Sequence, residues 1–315
     1  MTGSNSYTGG TTISNGTLAL GSANAVGTSG TISFIGGTLQ YSASNATDYS
    51  SRFSNDTFQF YVIDTNGQNV TLASPLTSID GSLTKSGVGT LTLAGANSYS
   101  RVTNSYDGGL TRISAGTLAL SGTGSIGTGG LNLGTTGSPG TFDLAALTAG
   151  TYSLPATGNL AGVGSLSGNG KSLAVLGAFT PGNSPGTVTL GSGFTLDLSQ
   201  SGSSVFEITN PAYTAGTYDL VSGDGSAVFG GVLNLVFSGG TYATGADVLQ
   251  IFANAGGRSG NFSAVNATGL AAGQSATFNA ATGFISVVPE PSTWASLLAG
   301  LACGGYMRFR RRRDC

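Results

Sequence analysis

A chain of 315 residues with 54 glycines, 8% charged residues and no histidine departs from average composition, in which glycine is about 7% and charged residues about 25%. With 39% hydrophobic residues it is too apolar for a disordered chain, which combines low hydrophobicity with high net charge. Five of its 11 basic and two of its 13 acidic residues follow residue 288, so the body before them has six against eleven, a net charge of −5; such a body lacks the basic surface that contacts nucleic-acid phosphates.

From the N-terminus onward, apolar residues alternate with polar ones in short runs bounded by Gly, Asn, Ser and Asp. "TISFIGGTLQY", "TFQFYVI", "GTLTLAG", "GTLALSG", "FTLDLS", "VFEIT" and "GVLNLVF" all show it. Period-two alternation between turn residues predicts strands, and no amphipathic helical pattern of useful length precedes residue 290. The body is therefore expected to be all-β. The first run repeats: "ISNGTLAL" at 13–20 returns as "ISAGTLAL" at 113–120, and "NSYTGGTTIS" at 5–14 returns as "NSYDGGLTRIS" at 104–114 with one residue inserted. Leu18, Leu20, Leu91, Leu93, Leu118 and Leu120 are expected on one face of their strands, with Thr17, Ala19, Thr92 and Ala119 on the other. Further along, "DTNGQN" at 64–69 is oxygen-rich like a calcium loop but lacks the terminal bidentate Glu. Asn66-Gly67 between "FYVI" and "NVTL" instead predicts a hairpin turn. Stacked parallel rungs would bury the repeated apolar positions in one column, with Gly and Asn at the corners; a β-sandwich is the competing architecture.

The stretch "GSLTKSGVGTLTLAGANSYS", continuing through "YDGGLTRISAGTLALSG", resembles the autotransporter-associated β-strand repeat, also called the passenger-associated transport repeat. Leu83, Lys85, Gly87, Gly89, Thr90, Leu91, Leu93, Gly95, Asn97 and Tyr99 fit its pattern, and Gly108, Gly109, Ile113, Gly116, Thr117 and Leu118 resume it after an insertion, "RVTNSYD". The resemblance implies a right-handed parallel β-helix of the kind found in exported passenger domains. Met1 falls inside a repeat, and "MTGSNSYTGG" has neither the basic nor the apolar region of a signal peptide. The first half of that repeat and any signal peptide are expected to be missing. The expected organisation is a β-solenoid with these repeats over 1–177, C-terminal rungs and a capping region over 178–287, and a tail over 288–315.

The tail has three parts. Val288 to Ser292 form an extended element set by two prolines. Residues 294–309 are an apolar segment whose sixteen residues would span about 24 Å as a helix, slightly short of the roughly 30 Å hydrocarbon core. Arg308, Arg310, Arg311, Arg312 and Arg313 then form a basic stop that would stay cytoplasmic. A plain membrane anchor or a buried helix would also fit. Pro289, Glu290 and Pro291, the apolar segment and the arginine cluster, in that order, resemble the PEP-CTERM sorting signal. The resemblance implies a transmembrane sorting helix, processing by an exosortase-type membrane protease, transient anchoring in the inner membrane, and release to the cell surface or beyond.

Little in the chain points to chemistry. Without histidine, neither a Ser-His-Asp nor a Cys-His nucleophile can be built, and histidine metal sites are excluded. The only cysteines are Cys303, in the apolar segment, and Cys315, so no disulfide framework holds the body. Carboxylate pairs that could cleave a glycosidic bond are limited to Asp197, Glu207, Asp219, Asp224 and Asp247; Asp224 lies in a turn-like "SGDGSA", and Asp197 and Glu207 alternate with apolar neighbours as outward strand residues. No metal or cofactor is expected. The expectation is an exported, non-catalytic surface or matrix protein associated with extracellular polysaccharide. The alternatives are a secreted adhesin or a polysaccharide-modifying β-helix enzyme.

Overall fold

The computed structural model describes residues 1–102, 108–182 and 184–289. Parallel strands stack in three long sheets. The first has eleven strands, from Thr17–Ala19 to Ala264–Thr268, and every neighbouring pair in it is parallel. The second has eight strands, its path running from Val70–Leu72 to Leu220–Gly223, and the third has five, from Thr151–Leu154 to Arg258–Gly260. From Thr151 the chain visits the three sheets in turn: Thr151–Leu154, Asn159–Gly162 and Gly164–Ser167 make one circuit, and Ser172–Val175, Ala178–Pro181 and Thr187–Leu190 the next. This is a parallel β-solenoid; a sandwich is excluded because its sheets are antiparallel. The sheets cross residue 177 without a break. Among the described residues the only helical element is the 3₁₀ turn Ser50–Arg52, and no helix is long and apolar enough to cross a membrane. The apolar segment 294–309 and its arginines lie outside the described residues.

Alternation along each strand sends one set of side chains inward. Leu20, Leu91, Leu93, Leu118 and Leu120 are fully buried, each in line with apolar residues of the rungs beside it. Leu18 departs from the expectation and is only half-buried. It lies in the first strand of the first sheet, with a paired strand on one side only. Aromatic residues stack in the same manner: Phe34 meets Phe53 and Tyr61 at 4.9 and 5.4 Å between ring centres, and Tyr61 meets Tyr99 at 6.4 Å.

One sequence expectation is corrected. Asn66 and Gly67 do form a turn, with φ of 45° and 83°, but not a hairpin. Phe60–Asp64 pairs in parallel within the first sheet, whereas Val70–Leu72 pairs in parallel within the second. The turn is a corner of the solenoid, where the chain changes face instead of doubling back. The extended element expected from Val288 begins inside the last strand, Phe284–Pro289, in which Val288 and Pro289 pair with Ser275 and Gln274. Pro289 is tolerated as the terminal strand residue, where no further ladder bond is required of it.

That last strand belongs to an antiparallel three-stranded sheet, Gly245–Gln250, Gln274–Asn279 and Phe284–Pro289. Phe252, Phe262 and Phe278 pack with Phe229 of the third solenoid sheet at centroid distances of 4.7 to 5.3 Å, which ties this sheet to the final rungs.

Corners leave carbonyl groups that no strand partner reaches, and the few cations of the body satisfy them. Lys85 points inward and is fully buried. Its ammonium donates to the carbonyls of Ser86, Gly87 and Ala115 at 2.9, 2.6 and 3.0 Å, joining two rungs. Gly116 (φ +70°) closes this corner, where a Cβ would meet the carbonyl oxygens of Gly87 and Gly89 at 2.6 Å. Arg52 donates to Val26, Ser29 and Gly30 of the preceding turn at 2.7, 2.6 and 2.8 Å. Buried Asn97 accepts from Leu76 N at 2.7 Å and donates to Ser125 O at 2.7 Å, spanning three rungs.

Two predictions follow from this packing. Leu118→Ala should lower stability by about 3 kcal/mol, whereas Leu18→Ala, at the half-covered end, should cost about 1 kcal/mol; urea titration of both variants checks the contrast. Lys85→Met should cost on the order of 3 kcal/mol, because three buried carbonyls lose their donor. Burial holds the Lys85 ammonium down at about 8, against the pull of Asp64. Between about pH 8 and 10.5 the folded chain has shed this proton while the unfolded chain keeps it, so the contribution of Lys85 to stability rises with pH across that window. The rise should be absent from Lys85→Met in urea titrations at stepped pH.

Candidate functional site

The carboxylate candidates occupy different settings. Asp197 is half-buried, and its Oδ1 accepts the Ser199 N–H at 2.9 Å. Asp224 is exposed at the corner between Leu220–Gly223 and Ser226–Phe229, and Asp247 is exposed at φ 50°. Asp64, first residue of the candidate calcium loop, accepts from Asn66 N at 2.8 Å and from Gln40 Nε2 at 2.7 Å. It shapes the corner and bridges two rungs. Among the described residues no three His, Cys, Asp or Glu residues gather as a metal site would require.

Only Glu207 and Asp219 come together. After Ser203–Ile208 the chain makes an excursion and returns, with Thr209 N bonded to Thr217 O and Asp219 N to Glu207 O at 2.8 and 2.9 Å. Asp219 is 2% exposed. One carboxylate oxygen accepts Gly186 N and the other Glu207 N, each at 2.8 Å. Gly182, at φ +94°, is required here because a Cβ would collide with Asp219 Oδ1. Glu207 is half-buried on the outward face of its strand. Both carboxyls line a cavity of about 170 Å³ with Thr180, Pro181, Ser184 and Val205. Burial, reinforced by Glu207, pushes Asp219 up to about 7 against the two N–H donors that favour its ionised form. With both Asp219 oxygens engaged by the main chain, its first task is to join three segments.

The outer faces carry a different kind of order. Along the second sheet, paired registers align Thr90, Thr117, Thr141, Ser165, Thr189 and Ser222 in one column across six successive rungs. Adjacent members are separated by the strand spacing of about 4.8 Å. Their inward neighbours Leu91, Leu118, Phe142, Leu166, Leu190 and Val221 are buried, so alternation places the hydroxyls outside. The third sheet aligns Thr151, Ser172, Thr195 and Ser226 likewise. Sequence reasoning noted the alternation but not these columns, since register between rungs of unequal length cannot be counted from one strand.

Pro289, first residue of the candidate sorting motif, ends the last strand. Glu290, Pro291, Arg308, Arg310, Arg311, Arg312 and Arg313 lie outside the described residues.

The passenger-associated-transport-repeat family matches residues 1–20, 83–103 and 100–120. These stretches contain Lys85, Asn97 and Tyr99, the inward polar residues that connect rungs, and the beginning of the hydroxyl column at Thr90 and Thr117. No curated protein matches the chain.

If Asp224 serves only as a corner residue and Asp247 only as an exposed strand residue, Asp224→Asn and Asp247→Asn should each change stability by less than about 0.5 kcal/mol. Thermal unfolding of the two variants beside the parent chain checks this.

Proposed function

We propose that this is an exported, surface-associated repeat protein whose solenoid makes non-catalytic contacts with extracellular polysaccharide. The observation that carries the reading is the hydroxyl column of the second sheet. Six evenly spaced hydroxyl groups offer donors and acceptors in a row to an extended, hydroxyl-rich chain. Each contact is weak, and affinity comes from repetition along a rigid scaffold. The repeat match supports export to the surface. In this reading the tail is an address: Pro289, Glu290 and Pro291 present the cleavage region to an exosortase-type membrane protease, residues 294–309 anchor the chain transiently in the inner membrane, and the arginines hold its cytoplasmic end.

The pair of Glu207 and Asp219 is the one observation that favours a polysaccharide-cleaving enzyme. The engagement of both Asp219 oxygens by main-chain N–H groups favours the structural role. Release of reducing ends from a polysaccharide panel by the full chain, lost in Asp219→Asn, would reverse this preference.

Replacing Thr117, Thr141 and Thr189 together by Val keeps their shape and removes three hydroxyls from the column. The triple variant should fold with the same circular dichroism and bind insoluble polysaccharide at least about tenfold more weakly, at about 0.5 kcal/mol or more for each lost hydrogen bond. Unchanged retention in a pull-down would remove the column from the proposal. For the tail, mass spectrometry of protein exported in a host with the matching system should find a C-terminus lacking Arg310 to Arg313. Changing Pro289, Glu290 and Pro291 to Ala should leave the unprocessed, membrane-bound form.

A further inference from the structure

The cavity beside Asp219 has a property that the surface function does not use. A carboxylate removed from water is costly unless a cation pairs with it, and none does here. The elements packed around Asp219 are Ala178–Pro181, the residues Gly182 and Ser184 to Gly186, Ser203–Ile208 and Leu220–Gly223. Among these described residues the single charged group is Glu207, of the same sign. Asp219 nevertheless holds Gly186, ahead of one strand of the second sheet, to Glu207 in the first sheet, through bonds of 2.8 Å.

We propose that Asp219 and Glu207 form a proton-operated clasp, tight while Asp219 carries a proton and loosened once it ionises beside Glu207. The direction follows from linkage. The closed, buried site keeps a proton that a solvated carboxyl would release, so proton binding favours the closed form. As pH rises from about 4 to about 7 the closed form loses that advantage, and above this both forms are ionised and the loss is complete. The proton leaves to water through the cavity, and the join between Gly186, Ser203–Ile208 and Leu220–Gly223 opens to admit solvent to the carboxylate. The charge stays on Asp219. Burial, the two backbone donors, the like-charged neighbour and the cavity together make this carboxyl differ from the exposed Asp224 and Asp247.

Amide hydrogen exchange of the full chain between pH 5 and 8.5, corrected for intrinsic rates, tests the clasp at Gly186 and Glu207, with Leu118 as an internal reference. The opening constant at both sites should rise by up to about tenfold per pH unit from pH 5 towards 7 and level off above it, the slope that one released proton gives, while Leu118 stays flat. Asp219→Asn should abolish the pH dependence. Glu207→Gln should move its midpoint to lower pH by removing the like charge. Carboxyl carbon shifts of the parent chain, which need no variant to fold, should show Asp219 titrating well above exposed aspartates. The clasp is ruled out if Asp219 titrates near 4, if protection rises or stays flat between pH 5 and 7, if Asp219→Asn keeps the slope, or if Glu207→Gln leaves the midpoint in place.

Discussion

The structure depends on the requirement that each strand find a parallel partner one strand spacing away on both sides. Parallel strands cannot be closed by a tight hairpin, so the chain travels around the whole cross-section before it meets itself. In the first sheet the return takes 19 residues at Leu160↔Phe179 and 32 at Val232↔Ala264. The ladder tolerates this variation because the extra residues leave at corners. What it does not tolerate is a change of parity, since a one-residue slip would turn every inward side chain outward. Inward positions are therefore stacked on other inward positions, save where the register shifts between Ala119 and Ser121, and the interior becomes a column of like residues.

The same requirement accounts for the low charge of the body. Side chains inside a solenoid meet only other side chains and the backbone of the next rung, so an inward polar group is best held where it fills a need of that backbone. Lys85, Asn97 and Ser201 do so, each bonded to the carbonyls of corners or adjacent rungs. Lys171 and Arg258 serve from the periphery, Lys171 donating to Leu147 O at 2.6 Å and Arg258 to Asn254 O at 2.7 Å. Cations suit the task because they only donate, and an ammonium or guanidinium can serve two or more carbonyls at once. Few charges are needed, and Arg52, Lys85, Lys171 and Arg258 have backbone work.

The all-β class, the stacking and the inward leucines were legible because alternation and glycine corners are local properties. The assignment of strands to sheets was not. "GTLAL" at 16–20 contributes Thr17–Ala19 to the first sheet, whereas the identical "GTLAL" at 116–120 lies in Gly116–Gly122 of the second. Both sheets ask the same of a strand, one apolar side and one small polar side, so identical segments serve either face. The turn at Asn66-Gly67 was misread for a related reason: its positive φ values suit a hairpin and a solenoid corner equally, and only the remote partners of the flanking strands decide. Asp219 was visible as a carboxylate but not as a buried one. Its sequence neighbours Tyr218 and Leu220 carry no sign of the excursion that folds it back onto Glu207.

Inside and outside are thus specialised in opposite ways. The interior is fixed by the ladder, and a substitution there is paid in stability, which leaves it little freedom to acquire a function. The outward positions carry no such obligation beyond fitting a pleated surface, yet on the second sheet six successive ones are Thr or Ser. Stability of the stack does not demand this, because Val would fit the same strand equally well, and Val occupies outward positions at Val62 and Val205. Under the proposed function, a column that is hydroxyl-bearing where the fold would accept apolar residues would serve contacts with a partner outside the chain. Its uncharged character suits a partner that is itself rich in hydroxyls rather than in charge.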